Sequence, residues 1–297
     1  MKRIHRLLGL ALVAVFAALL SGCNPQPKVP DVSNAPPKRV EIIGYNDDAM
    51  EPFVSRDGHY LLFNNLNDDS TNTDIHFAER KDDFIWLYRG KVNGVNTPAL
   101  EGCPTLDRAG RMFFVSPRSY TTSLCTIYTG IFQDGTVTNV QLVESISRKQ
   151  PGIVNFDVDV SSDGNTLVFV DSRFTPGGGP QSADLVIATW DGHEFVRSPD
   201  SARLLSQVNK AAALQYAPTI SADTLTLYFT RFDRRSGFTG PQIYRATRPA
   251  IDAPFGQLVH MGDLGGYVEG SAFGADEKLL YFHRKDGDRF NLYAIRL

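Results

Sequence analysis

Cysteine is scarce: three residues in 297. That excludes a small scaffold held by a dense disulfide framework. Charge of one sign is also lacking. Thirty basic and 33 acidic side chains leave a formal net charge of −3, which argues against a nucleic-acid or anionic-membrane surface. Long hydrophobic runs are missing. The longest, residues 7–20 (LLGLALVAVFAALL), has 14 members, whereas a membrane-spanning helix needs about 20. The six histidines fall in no His-Glu-x-x-His or Cys/His zinc spacing,. No Gly-x-Ser-x-Gly elbow occurs, because Gly270–Gly274 is out of register, and no phosphate-cradling glycine loop follows a strand,. No cofactor and no metal is therefore expected. What remains is a globular composition, 42% hydrophobic and 11% aromatic with 25 Gly and 17 Pro,. Length alone suggests two domains, although all-β folds of this size often form one.

The first 22 residues read as a processing signal. Lys2, Arg3 and Arg6 precede the apolar run, which has the length of a signal h-region,. The run ends at Leu20-Ser21-Gly22-Cys23, which resembles the lipobox of bacterial lipoproteins. The resemblance implies that Cys23 is lipidated and becomes the first mature residue; the alternative is an ordinary secretory signal with a chance cysteine. Asn24 stands where an Asp would resemble the inner-membrane retention signal. The implied address is the bacterial outer membrane, lipid-anchored and facing the periplasm. Residues 23–38 are rich in Pro and polar side chains and read as a semi-extended spacer,.

From residue 39 to 297 one pattern recurs five times. Its copies begin at Glu51-Pro52-Phe53-Val54-Ser55-Arg56-Asp57-Gly58, Pro104-Thr105-Leu106-Asp107, Val158-Asp159-Val160-Ser161-Ser162-Asp163-Gly164, Pro218-Thr219-Ile220-Ser221-Ala222-Asp223 and Ser271-Ala272-Phe273-Gly274-Ala275-Asp276. Each is followed by an aromatic-rich strand, then by an Ile/Leu-Tyr-like third strand such as Ile127-Tyr128 or Leu292-Tyr293. Fourth strands are expected at residues 85–88, 140–143, 202–205 and 256–259. Four strands at a period of 50-odd residues predict a single-domain β-propeller. The motif resembles the TolB-type repeat, Pro-x-x-Ser-x-Asp-Gly followed by an aromatic strand. The expected fold is all-β and five-bladed, with four-stranded antiparallel blades. A six-bladed ring, as in TolB, is the alternative.

The fifth copy ends after its third strand, while residues 40–45 form an unpaired strand at the other end. Closing the ring removes an exposed edge, so residues 40–45 are expected to complete the last blade. The widest interval between copies, the third to the fourth, requires extra length. It is assigned to residues 176–180 and to residues 207–214, where one helical turn is expected.

First strands line a propeller's channel, so their carboxylates are candidate ligand contacts: Glu51, Glu101, Asp157, Asp159 and Glu269. Asp157 and Asp159 are two apart on a strand and share a face. The competing role for all five is turn capping and hydrogen bonding between blades. Arg118, Arg173, Arg231 and Arg284 follow second strands and could bind an anion or brace the acidic turns; Arg118 and Arg173 are retained as binding candidates. The run at residues 67–74 is rich in oxygen ligands but lacks the pattern of a calcium loop and reads as a solvated hairpin. Cys103 and Cys125 fall on first and third strands, roughly 10 Å apart, beyond disulfide reach unless the chain bends at Cys103.

Two functions follow. One is an envelope lipoprotein that binds a protein, peptide or glycan at one face of the ring. The other rests on resemblance to the five-bladed arabinanase-type glycosidases, which implies hydrolysis by three inner-strand carboxylates, with Glu51, Asp157 and Glu269 in those places.

Overall fold

The computed structural model describes residues 36–67, 72–175, 178–233 and 240–297. The signal segment with Cys23, nearly all of the spacer, residues 68–71 of the oxygen-rich run and the first two residues of the 176–180 stretch lie outside the described residues.

Strands dominate. After β1 (Lys38–Arg39) and β2 (Glu41–Ile43) come five blades. Blade 1 is β3 (Met50–Val54), β4 (Tyr60–Asn64), β5 (Ile75–Arg80) and β6 (Ile85–Lys91). Blade 2 is β7 (Gly102–Leu106), β8 (Arg111–Val115), β9 (Ile127–Gln133) and β10 (Thr136–Leu142). Blade 3 is β11 (Ile153–Val160), β12 (Thr166–Phe174), β13 (Pro180–Trp190) and β14 (Phe195–Arg197). Blade 4 is β15 (Leu214–Ile220), β16 (Thr226–Phe232), β17 (Gln242–Thr247) and β18 (Gly256–His260). Blade 5 is β19 (Val268–Phe273), β20 (Leu279–Asp286) and β21 (Arg289–Arg296), completed by β1. The innermost strands β3, β7, β11, β15 and β19 each contact the next, and β19 contacts β3, so the ring closes with five blades.

The first hairpin of a blade is made by side-chain chemistry at its turn. Ser55 Oγ donates to Asp57 Oδ1 at 2.5 Å, while the amides of His59 and Tyr60 donate to Asp57 and Ser55. Ser161 with Asp163 and Ser221 with Asp223 repeat these bonds. A serine and an aspartate two apart thus satisfy turn amides that the ladder cannot reach.

The apolar core lies between blades. Phe113 and Val115 of blade 2 pack on Val160, Leu167 and Phe169 of blade 3. Leu61, Phe63 and Trp86 of blade 1 pack on Leu279, Tyr281 and Leu292 of blade 5. The axis is left to polar side chains.

Three expectations are corrected. The closing strand is not residues 40–45. Lys38 and Arg39 pair antiparallel with Ala294 and Tyr293, and Val40 N–H donates to Leu292 O at 2.8 Å. The chain then crosses the seam, and β2 runs parallel to β6 on the outside of blade 1. Val40 is the pivot, buried in the cluster shared by blades 5 and 1. Residues 202–205 are not the fourth strand of blade 3. That strand is β14, anchored by buried Phe195. Downstream, Ser198-Pro199-Asp200 turns the chain into a short helix, α1 (Ser201–Leu204), whose Leu204 packs into the core between blades 3 and 4. The helical turn thus comes before residues 207–214.

Candidate functional site at one mouth of the ring

Each innermost strand breaks register at the same point: between Met50 and Phe53, Gly102 and Thr105, Phe156 and Asp159, Tyr216 and Thr219, and Glu269 and Ala272. Within each break one residue is left-handed: Glu51 (φ 48°), Cys103 (53°), Asp157 (45°), Ala217 (47°) and Gly270 (61°). A bulge re-aims the side chain it carries. Here five bulges surround one axis. A left-handed residue other than glycine costs roughly 1–2 kcal/mol, so four such residues are held there by the ring around them.

Glu51, Cys103 and Asp157 converge: one carboxylate oxygen from each acid and the Cys103 Sγ lie within 4.8 Å of one another. Cys103 Sγ donates to Asp157 Oδ1 at 3.0 Å, and Ala217 N–H donates to Asp157 Oδ2 at 2.9 Å. These residues, with Asp159 and Ser271, line a cavity of about 30 Å³ on the axis. Gly270 is needed there. A Cβ at that position would stand 2.5 Å from Glu51 Oε2 and 2.7 Å from His283 Nδ1.

Glu269 adjoins this group. Its Oε1 accepts from the hydroxyl of Tyr216 and, at 3.3 Å, from that of Tyr267. His283 is fully buried between two acids. Its Nδ1 accepts from Glu51 N–H at 3.2 Å, which leaves the ring proton on Nε2 to face Glu269 Oε2 at 3.3 Å,. Glu51 Oε1 lies 4.0 Å from Nδ1. Tyr267 is 42% exposed and meets Phe290 edge-on.

Crowding of acids in a poorly hydrated site raises their pKa values. Burial, then Asp157 and Glu269, push Glu51 well above the ordinary range. Burial pushes Asp157 up to about 6, with Glu269 adding to it and the Cys103 and Ala217 hydrogen bonds opposing it. Burial, with Asp157 and Glu51, also drives the Cys103 thiol up.

One level deeper, side chains from neighbouring blades meet. Asp159 accepts from Thr105 Oγ1 at 2.6 Å, Thr219 Oγ1 at 3.1 Å and Ile220 N–H at 2.8 Å. Arg56 Nη2 lies 3.5 Å from Asp159 Oδ1 and donates to Val160 O at 2.6 Å. Four blades are tied together by this one carboxylate and one guanidinium.

The structure therefore brings Glu51, Asp157 and Glu269 to one mouth and places Asp159 beneath them. It does not bring Glu101, Arg118 or Arg173 there. Glu101 is fully buried and accepts from Thr97 N–H, Thr97 Oγ1 and Ser116 Oγ. Arg118 stacks 4.0 Å over Tyr128 and donates to Val95 O. Arg231 over Tyr244 and Arg284 over Tyr293 repeat that arrangement, with Val208 O and Leu264 O as acceptors. Arg173 is exposed on β12. Cys103 and Cys125 are free thiols. The functional candidates that residue-type reasoning passed over are Cys103, Tyr216, Tyr267, Ser271 and His283. Cys103 was visible in one respect: it precedes Pro104 just as Glu51 precedes Pro52.

No protein-family model matches this chain, and no curated protein matches it. Solved structures do match in fold. One described as a glycoside hydrolase superposes with a TM-score of 0.61 at 10% identity, covering 89% of this chain and 92% of the other. An endo-arabinase from Bacteroides thetaiotaomicron gives 0.54 at 11%, covering 88% and 97%. TolB from Acinetobacter baumannii gives 0.48 at 15%, covering 84% and 54%. At these identities the likeness is one of fold.

Proposed function

We propose that this chain is a bacterial cell-envelope lipoprotein, tethered through Cys23, whose ring binds a partner at the mouth formed by Glu51, Asp157 and Glu269, with a glycan foremost among peptide and protein alternatives. The observation that carries this reading is the partly exposed Tyr267, whose hydroxyl donates to the Glu269 carboxylate beside the other two acids. An aromatic face suits the apolar side of a sugar, and carboxylate oxygens accept from its hydroxyls. Fold neighbours named for glycoside hydrolysis support the same direction. A glycan array and an envelope-protein pull-down with residues 24–297 test it. Capture of a glycan, weakened at least tenfold by Tyr267→Ala and by Glu269→Gln, is expected. Capture of nothing, or equal capture by both variants, overturns it.

Hydrolysis is the second reading, favoured by Asp157, whose pKa near 6 suits a general acid,. The surroundings of the acids favour binding. Between Glu51 and Glu269 stands the His283 ring. Reducing sugar released from a captured glycan, and lost in Asp157→Asn, would convert the binding reading into hydrolysis.

A further inference from the structure

We infer that the cavity on the ring axis is a site for one divalent transition-metal ion of the zinc type, held by Glu51, Cys103 and Asp157. These three residues come from blades 1, 2 and 3, and their ligand atoms already lie within 4.8 Å of one another. Tetrahedral coordination with bonds of about 2.0–2.3 Å places ligand atoms roughly 3.3–3.8 Å apart. The Cys103 Sγ to Asp157 Oδ1 separation, 3.0 Å, is at that scale before any metal enters. A cavity of about 30 Å³ has room for an ion with one small ligand,.

A second observation comes from blade 5. Ser271 lines the same cavity and is 7% exposed, and its buried Oγ has no hydrogen-bond partner among the described residues. A buried hydroxyl without a partner costs about 1–3 kcal/mol. A metal-bound water in the fourth position would supply the missing partner. The donor set selects the metal: thiolate with carboxylates suits zinc and its neighbours, whereas calcium needs six to eight oxygens.

Binding is ligand exchange without oxidation or reduction. The Sγ–H bond breaks, its electron pair remains on sulfur and forms the sulfur–metal bond, and the proton leaves to solvent with any proton held by the two carboxyl groups. The site shares Glu51 and Asp157 with the proposed glycan mouth, but the inference rests on the convergence of the three ligand atoms and not on glycan binding.

Cobalt(II) titration of the reduced, chelator-treated full chain tests the inference. Expected are one ion per chain, thiolate-to-cobalt charge-transfer absorption in the near ultraviolet, proton release into weak buffer, and displacement by zinc(II). Cys103→Ser should abolish the absorption, while Cys125→Ser should keep it. Absence of the band in the wild type, or its persistence in Cys103→Ser, overturns the inference. Glu51→Gln supplies a second reading should Cys103→Ser fold poorly: the band stays and affinity falls at least tenfold. Unchanged affinity in that variant also overturns the inference.

Discussion

At the scale of single residues, the site depends on side chains placed where ordinary folding preferences would not put them. Asp157 is buried, left-handed and next to two other acids. Its folded form holds a proton more tightly than the unfolded chain does. Stability from this source is full below about pH 4 and is lost as pH rises through about 6,. The rise from 3.8 to about 6 corresponds to about 3 kcal/mol,. Glu51, raised for the same reasons, extends the loss in the same direction. Urea denaturation from pH 4 to pH 7 should show the wild type losing stability relative to Asp157→Asn by a few kcal/mol. A constant difference across that range would contradict the burial argument. Composition could not reveal this. Glu51, Glu101 and Glu269 look alike in the chain, yet Glu101 is spent on Thr97 and Ser116 while the other two face the mouth.

Elements were legible where local chemistry repeats and obscure where tertiary contacts decide. The Ser-x-Asp turns were readable because their hydrogen bonds close within five residues. Ser161→Ala removes the donation to Asp163 and the acceptor for Thr166 N–H. It should cost about 1 kcal/mol, measured by thermal denaturation, and leave partner binding intact because the turn lies at the far end of the hairpin from the carboxylates. By contrast, residues 202–205 carry two leucines in a strand-like run, and burial of Leu204 and Leu205 against blade 4 is satisfied by a helical turn instead. Short apolar runs do not separate these outcomes. The bulges belong to the same class: nothing in Glu51-Pro52 or Cys103-Pro104 announces a left-handed residue, yet the repeat period placed all five in register. The arginines near the ends of second strands illustrate the opposite case. Arg118, just after its second strand, and Arg231 and Arg284, near the ends of theirs, stand at similar offsets because they share a brace, a guanidinium over a third-strand tyrosine.

At the scale of the whole molecule, the blade number was set by counting motifs, and the closure by noticing that one strand was missing. The length of that strand was not readable, because two blades divide it. Removing residues 1–44 strips β1 from β21 and β2 from β6 and uncovers the cluster around Val40, Trp86 and Leu292. Removing residues 1–35 touches none of these. The longer truncation should melt well below the shorter one and scatter light as its open strand edges associate. Equal melting temperatures would mean that the seam carries no load.

The division of that strand also sets an order of events during synthesis. β2 can dock on β6 once the first blade exists, whereas Arg39 meets Asn291, which lies 252 residues beyond it in the chain. Loop closure becomes costlier as the loop lengthens. A terminus left free until the end would have to find its partner across the whole chain. Held against blade 1 from the start, the two residues of β1 need only wait. The last blade then arrives at a latch whose fixed half was set in place by the first.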